Sequence, residues 1–143
     1  MKLNKIILSI FILIIINSCS INLKNLPKPT GIYNIGTDVF IFEDKTRLEW
    51  FTDYKDDFRK IAVQMWYPAS TISDSLYPYI DNKIKMKYIA EQLGISQKIL
   101  KGLEQVKTNS YYQAPIVNNE FPVIIFSHGL GGTKTQNSIN IEE

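Results

Sequence analysis

The residues with the clearest chemical potential form a glycine-rich segment, Ser127-His128-Gly129-Leu130-Gly131-Gly132. It follows Pro122-Val123-Ile124-Ile125-Phe126, a continuous apolar run that predicts a strand buried on both faces of a parallel sheet. Glycines let the backbone take positive φ angles and approach a ligand closely. Backbone N–H groups held in such a turn stabilise the negative charge that acyl transfer builds on a carbonyl oxygen. We expect the first such donor to be the backbone amide of Leu130, with His128, Gly129 and Gly131 shaping the loop.

A phosphate-binding loop is the competing interpretation of these glycines. The segment Gly132-Thr133-Lys134-Thr135 comes closest to the required lysine and hydroxyl pair, but it lacks the spacing from a first glycine. The Gly-x-Gly-x-x-Gly fingerprint of dinucleotide sites does not occur. A strand, a His-Gly pair, a glycine-rich turn and a helix from Gln136 to Glu143, capped by Thr133 or Thr135, are instead typical of the oxyanion loop of α/β-hydrolases.

The groups that would complete a serine esterase are missing from the 143 residues. In this fold a nucleophilic serine, an acid and a histidine base follow the oxyanion loop in that order. The sequence contains no Gly-x-Ser-x-Gly motif, and its one histidine is His128. We interpret His128 as a buried imidazole that hydrogen-bonds across the loop, and Ser127 has no second histidine to activate it. We therefore expect this chain alone to be catalytically inactive.

Phe121 to Gly131 is very similar to the segment that carries the first oxyanion donor in platelet-activating-factor acetylhydrolases. The similarity continues through Lys134-Thr135 and Ser138, and the whole resemblance covers roughly residues 32–143. Upstream, three segments resemble the first two strands of that family and the loop before its third strand: Ile35-Gly36-Thr37-Asp38, Val63-Gln64-Met65-Trp66-Tyr67-Pro68 and Ala114-Pro115.

The resemblance implies the amino-terminal part of an α/β-hydrolase fold, incomplete in this chain. It implies hydrolysis of short or oxidised acyl esters of phospholipids by serine, aspartate and histidine, with no metal and no cofactor. Two alternatives stay open. One is another α/β-hydrolase esterase of the dienelactone-hydrolase type. The other is a non-catalytic surface lipoprotein that binds a partner through aromatic residues such as Tyr77, Tyr79, Tyr111 and Tyr112.

The elements that would position the loop are two strands and a helical region. Val39–Phe42 and Arg59–Tyr67 read as strands, the second placing Ile61, Val63 and Met65 on one face and ending at Pro68. Residues 81–107 have helical spacing, with Ser96 as an N-cap. The apolar stripe of this region is expected to contain Ile84, Tyr88, Leu93, Ile99, Leu100, Leu103 and Val106.

The amino-terminal residues read as an export signal. Lys2 and Lys5 precede the apolar run Ile6–Ile16, which is too short to span a bilayer, and Ile16-Asn17-Ser18-Cys19 resembles a bacterial lipoprotein signal. We predict a signal peptide at 1–18, a lipidated Cys19, a tether at 19–31 and the hydrolase portion at 32–143. The protein would then be exported and held on a membrane in the periplasm or at the cell surface.

Composition fits a folded domain and argues against nucleic acid. Hydrophobic residues make up 45% of the chain and charged residues 21%. The formal net charge is +2, and it becomes zero once Lys2 and Lys5 are removed with the leader. No basic patch is left to attract a phosphate backbone, so we expect an ester substrate and a membrane surface as partners, and no nucleic acid.

Overall fold

The computed structural model describes residues 25–143, which contain a four-stranded mixed sheet in the order β2-β1-β4-β3. β1 (Asn34–Leu48) pairs antiparallel with β2 (Phe58–Ala69) and parallel with β4 (Lys107–Tyr112), and β3 (Leu76–Pro78) lies on the far side of β4. Both predicted strands are confirmed within the longer β1 and β2. Pro68 does not end β2 as predicted. It lies inside the strand opposite Ile35, because an edge strand tolerates the missing N–H.

β1 and β2 extend well beyond the rest of the sheet. β4 pairs with β1 only at Ile35–Thr37, whereas the β1–β2 ladder continues to Leu48 and Phe58. We call residues 38–65 the β-arm. Its residues 38–48 span roughly 30 Å at ~3.3 Å per residue. Two-stranded ribbons are at best marginally stable by themselves in water.

The apolar and polar faces of the β-arm do not follow the expected burial. Ile61, Val63 and Met65 share a face as predicted, opposite Phe42, Phe40 and Asp38. Ile61 and Met65 are nevertheless exposed, and the buried residues of β2 are Gln64, on the opposite face, and Ala69 at the end of the strand. The hydrophobic alternation in β2 therefore identified a face of the strand correctly, but no described element covers that face.

The buried centre of the sheet is rich in hydroxyl groups. Thr37, Thr108 and Ser110 are almost completely buried. The Thr37 Oγ1 donates a 2.8 Å hydrogen bond to the carbonyl of Met65, and the Thr108 Oγ1 donates a 2.9 Å bond to the carbonyl of Tyr77. Each buried hydroxyl thus has a partner, as buried polar groups require, and these bonds join neighbouring strands.

A second compact unit contains residues 78–106, apart from the unit formed by 26–77 and 107–143. It comprises α1 (Lys83–Leu93), α2 (Gln97–Leu100) and a 3₁₀ turn (Lys101–Gln105). Ser96 caps α2 as predicted, accepting a 3.3 Å bond from the Lys98 amide. Gly94 ends α1 in the left-handed conformation, where a side chain would be strained.

The predicted apolar stripe of this unit is only partly correct. Its buried core contains Ile80, Met86, Ala90 and Leu100. Leu100 and Val106 belonged to the stripe and are buried, but Ile84, Tyr88 and Leu93 are exposed. The reason is that Met86 and Ala90, four residues apart, lie on one face of α1 and pack there with Leu100.

The predicted leader, Cys19 and most of the tether precede residue 25 and lie outside the described residues. In the remainder of the tether Leu26 is buried, and the Pro27 carbonyl accepts a 2.7 Å bond from the Asn109 side chain. None of the helices within 25–143 is long and apolar enough to cross a membrane.

Candidate oxyanion loop

The apolar run before the loop is not a strand in this structure, so that prediction is wrong. Residues 122–126 form no ladder, and Val123, Ile124 and Ile125 are 86%, 88% and 92% exposed. A strand needs a neighbour with free backbone groups. β2 and β3 are the edge strands of the sheet, and β4 pairs with β1 only at Ile35–Thr37, so free strand edges are present. Within residues 25–143 the run pairs with none of these edges.

The glycine-rich segment forms a tight four-residue turn. The Gly132 amide donates a 2.9 Å hydrogen bond to the Gly129 carbonyl, and Gly131 has a φ of 75°. A positive φ at the third position is the signature of a type II turn, which favours glycine there. Leu130 occupies the second position, where the turn does not use the N–H group. The Leu130 amide makes no hydrogen bond within residues 25–143, and its side chain is fully exposed.

Gly132, the last residue of the turn, lies where a side chain would be crowded. A Cβ at Gly132 would lie 3.0 Å from the Gly129 carbonyl oxygen and would also collide with the side chain of Gln136. A Cβ at Gly129 would meet nothing within 4 Å. The positive φ of Gly131 therefore favours glycine there, and Gly132 is crowded, whereas Gly129 has room for a side chain.

His128 is exposed, which corrects the expectation of a buried imidazole. Its Nδ1 lies 2.9 Å from the Gly129 carbonyl, to which it can only donate. The contact is with the adjacent residue and does not cross the loop. The reason is that residues 122–130 are exposed throughout, so no described element packs over the imidazole.

Lys134 connects the carboxyl end of the loop to the sheet through hydrogen bonds. Its Nζ donates a 2.9 Å bond to Gln64 Oε1 and a 3.1 Å bond to the Tyr77 hydroxyl. The buried Gln64 in turn donates from Nε2 to Thr37 Oγ1 at 3.0 Å. This network connects the loop to β1, β2 and β3, and sequence reasoning missed it. Its one visible signal in the sequence was Gln64, a polar residue within the otherwise apolar run 61–69.

The helix after the loop is shorter than predicted. α3 spans Ser138–Glu142 with Asn137 at its N-cap, so neither Thr133 nor Thr135 caps it. Thr135 is buried instead, and its carbonyl accepts a 2.8 Å bond from the Ser138 hydroxyl. This side-chain bond holds residues 134–137 in turns and delays the start of the helix.

Glu142 attaches α3 to β4. Glu142 is 5% exposed. Its carboxylate accepts bonds from the Asn109 amide at 3.0 and 3.1 Å, from the Asn109 side chain at 3.0 Å and from the Ser110 hydroxyl. A buried carboxylate is tolerated when several donors surround it. The loop is therefore held from its carboxyl side by Lys134 and by Glu142.

Comparison with known proteins identifies the family. The family described as "Platelet-activating factor acetylhydrolase, isoform II" matches residues 18–141. This chain belongs to that family. The match includes the glycine-rich turn, and the two strand segments that resembled the family, 35–38 and 63–68, are direct neighbours in the sheet, with Gly36 opposite Tyr67. The mixed sheet and its helices correspond to part of an α/β-hydrolase fold.

A solved structure is also similar to the chain. Ferulic acid esterase from Streptomyces cinnamoneus aligns with a TM-score of 0.48 and 20% sequence identity, over 69% of this chain and 26% of the esterase chain. This chain therefore spans about a quarter of that esterase. No curated protein sequence matches it significantly.

The tyrosines of the non-catalytic alternative do not form an exposed aromatic surface. Tyr77 is buried, Tyr79 and Tyr111 are half-buried, and Tyr112 is 41% exposed. The rings of Tyr77 and Tyr112 pack together, with centroids 5.7 Å apart. Tyr79 packs against the core of the unit 78–106, and Tyr77 and Tyr112 pack against each other within the other unit.

Proposed function

We propose that this chain supplies the first oxyanion-stabilising amide of a serine carboxylic ester hydrolase. The observation that carries the proposal is the turn Gly129–Gly132, in which the glycines at 131 and 132 hold the Leu130 amide free of internal hydrogen bonds. Membership in the acetylhydrolase family supports an esterase-type reaction.

In this reaction a serine oxygen attacks the ester carbonyl and negative charge develops on the carbonyl oxygen. The Leu130 amide would donate to that oxygen, and the residue after the nucleophilic serine would supply the second donor. One such donor contributes about 2.7–4 kcal/mol to lowering the barrier when it is already oriented. The bonds from Lys134 to Gln64 and Tyr77 hold the turn in place before the substrate arrives.

The proposed substrates are phospholipids with a short acyl ester, of the kind that 1-alkyl-2-acetylglycerophosphocholine represents, and the proposed role is lipid degradation. Family membership supports this substrate class. A serine mechanism requires no cofactor. We further propose that acylation of Cys19 holds the exported protein on a membrane beside its substrate. Metabolic labelling with a fatty acid should mark the wild-type protein, and an equally labelled Cys19→Ser protein would disprove the anchor.

The 143 residues by themselves are proposed to be inactive, because they contain no nucleophile motif and His128 donates to Gly129. The purified chain should hydrolyse 4-nitrophenyl acetate no faster than its Ser127→Ala variant. Turnover that Ser127→Ala abolishes would overturn this part of the proposal.

The esterase assignment is tested on the coding DNA beyond the codon for Glu143. An in-frame Gly-x-Ser-x-Gly segment, an acid and a histidine should follow, and the encoded protein should hydrolyse short-chain esters. A stop codon at that point, matched by the mass of the native protein, would overturn the esterase assignment.

Leu130→Pro tests the oxyanion donor in that protein. Proline is favoured at the second position of a type II turn and has no N–H, so the turn survives while the donor is lost. We expect kcat to fall by about 10²–10³-fold. Leu130→Ala keeps the N–H and is the matched control, with kcat close to that of the wild type. Equal activity of the proline and alanine variants would refute the role of this amide.

A further inference from the structure

The tip of the β-arm displays an exposed aromatic cluster that the proposed esterase site does not use. Trp50, Phe51 and Tyr54 lie in the connection between β1 and β2 and are 75%, 80% and 78% exposed. The rings of Trp50 and Phe51 contact each other, with centroids 4.6 Å apart. Leu48, at the end of β1, is also more than half exposed. Large apolar side chains grouped in this way mark an interaction site.

The position of the cluster favours a shallow, extended partner. The β-arm leaves the sheet after Thr37, where the pairing with β4 ends, so the tip lies roughly 30 Å from that point. A ribbon of two strands gains little stability from itself. The aromatic residues are concentrated at its end, where they can enter a surface while the strands remain outside it.

The types of residue favour a lipid–water interface. Tryptophan and tyrosine combine an apolar ring with a polar group and accumulate at the headgroup level of membranes. Thr52 and Asp53 separate the rings, and irregular backbone cannot enter the hydrocarbon core. The tip would therefore reach the headgroups and go no deeper.

The charges favour choline headgroups over anionic lipids. Residues 43–60 contain five basic and six acidic side chains, and the connection 49–57 contains four acidic residues and the single basic residue Lys55. Asp57 pairs with Lys60 at 3.3 Å, while Asp53 and Asp56 flank Tyr54 and Lys55. Anionic lipids would be repelled by this excess. The quaternary ammonium of choline is attracted both to carboxylates and to aromatic ring faces.

We propose that the tip of the β-arm docks onto the surface of a phosphatidylcholine bilayer, with Trp50, Phe51 and Tyr54 at the level of the headgroups and Asp53 and Asp56 facing the choline groups. This contact requires no hydrolysis and does not depend on the proposed esterase function. It is also separate from any acyl group on Cys19.

The two tryptophans of the chain give a local test. Trp66→Phe leaves Trp50 at the tip as the only indole, and Trp50→Phe leaves Trp66, which is half-buried in β2 near the body of the sheet. Each full-length variant is mixed with vesicles of phosphatidylcholine brominated in its acyl chains. Because quenching is local to each indole, attachment through the amino-terminal residues does not affect the comparison.

We expect the Trp50 emission to shift to shorter wavelength and to be quenched, and the Trp66 emission to remain unchanged. Adding Phe51→Ser and Tyr54→Ser should abolish the quenching of Trp50. Ile84→Ser and Ile116→Ser, which alter exposed isoleucines elsewhere, are the matched controls and should leave it intact. Asp53→Asn with Asp56→Asn should reduce the preference for phosphatidylcholine over phosphatidylglycerol vesicles.

Three results would overturn the proposal. Equal quenching of both indoles would mean that the whole chain lies on the bilayer. Quenching by phosphatidylglycerol alone would contradict the choline assignment. A blue-shifted Trp50 without vesicles, together with a larger mass in solution, would identify a second copy of the chain as the occupant. Since none of these readouts involves ester hydrolysis, their failure is distinct from failure of the esterase assignment.

Discussion

Gly36 provides a direct test of how the first two strands fit together. Gly36 is buried in β1 directly opposite Tyr67 of β2, and the tyrosine ring lies over the glycine. A Cβ added at Gly36 would lie 2.7 Å from Cζ and 2.8 Å from Cδ2 of that ring, and closer still to Cε2. The substitution Gly36→Ala therefore forces the ring or the strands to move.

Two opposing effects determine how Gly36→Ala changes the free energy of unfolding. Alanine is favoured over glycine within a strand by about 0.5–1 kcal/mol, because glycine loses more backbone entropy. Inserting a methyl group into a filled space costs about 1–3 kcal/mol. Displacing the half-buried ring instead would re-expose on the order of 100 Å², worth about 2.5 kcal/mol at 25 cal/mol per Å². The steric clash is the larger effect, so we expect Gly36→Ala to lower the free energy of unfolding by about 1–2 kcal/mol.

Urea unfolding followed by circular dichroism measures this difference. We expect Gly36→Ala to lower the unfolding midpoint by about 1 M with little change in slope. Gly129→Ala is the matched control, since its new Cβ would meet nothing within 4 Å, and it should change the free energy of unfolding by less than about 0.5 kcal/mol.

The double variant isolates the contact. In a Tyr67→Ala background the ring is gone, so Gly36→Ala should be neutral or stabilising by about 0.5–1 kcal/mol. If Gly36→Ala is as stable as the wild type, or destabilises equally in both backgrounds, the proposed packing of Tyr67 on Gly36 is refuted.

Two further predictions concern carboxylates. Glu142→Ala leaves the buried Ser110 hydroxyl without its acceptor and should cost about 1–3 kcal/mol, seen as faster amide exchange in β4, whereas Glu143→Ala at the adjacent exposed carboxylate should have little effect. Equal exchange in both variants would contradict the anchoring role. Hydrogen bonds from Thr46 and then from Arg47 lower the pKa of Asp44 to about 2. The stabilisation is therefore complete above the ordinary pKa of 3.8 and is lost as the pH falls through about 2. Thr46→Val should raise this pKa in an NMR titration of the carboxyl carbon, and an unchanged value would show that Thr46 is not its cause.

The sequence by itself determined the local elements and the glycine turn. Aromatic and β-branched residues located β1, and alternation located β2 because the side chains of a strand repeat every two residues. Ser96 capped α2 as predicted, since capping depends on neighbouring residues. The positive φ of Gly131 and the crowding at Gly132 likewise follow from a four-residue turn. Family membership followed from the same short segments, and the family match confirmed it.

The tertiary structure alone decided which faces are buried and what holds the loop. Ile61 and Met65 looked like core but are exposed, while Gln64 is buried because Thr37 and Lys134 satisfy its amide. Val123–Phe126 looked like a central strand but pairs with no described strand, because an apolar run forms a strand only when the tertiary structure places a partner strand beside it. Burial and strand pairing depend on contacts between residues far apart in the chain, and local patterns do not contain them.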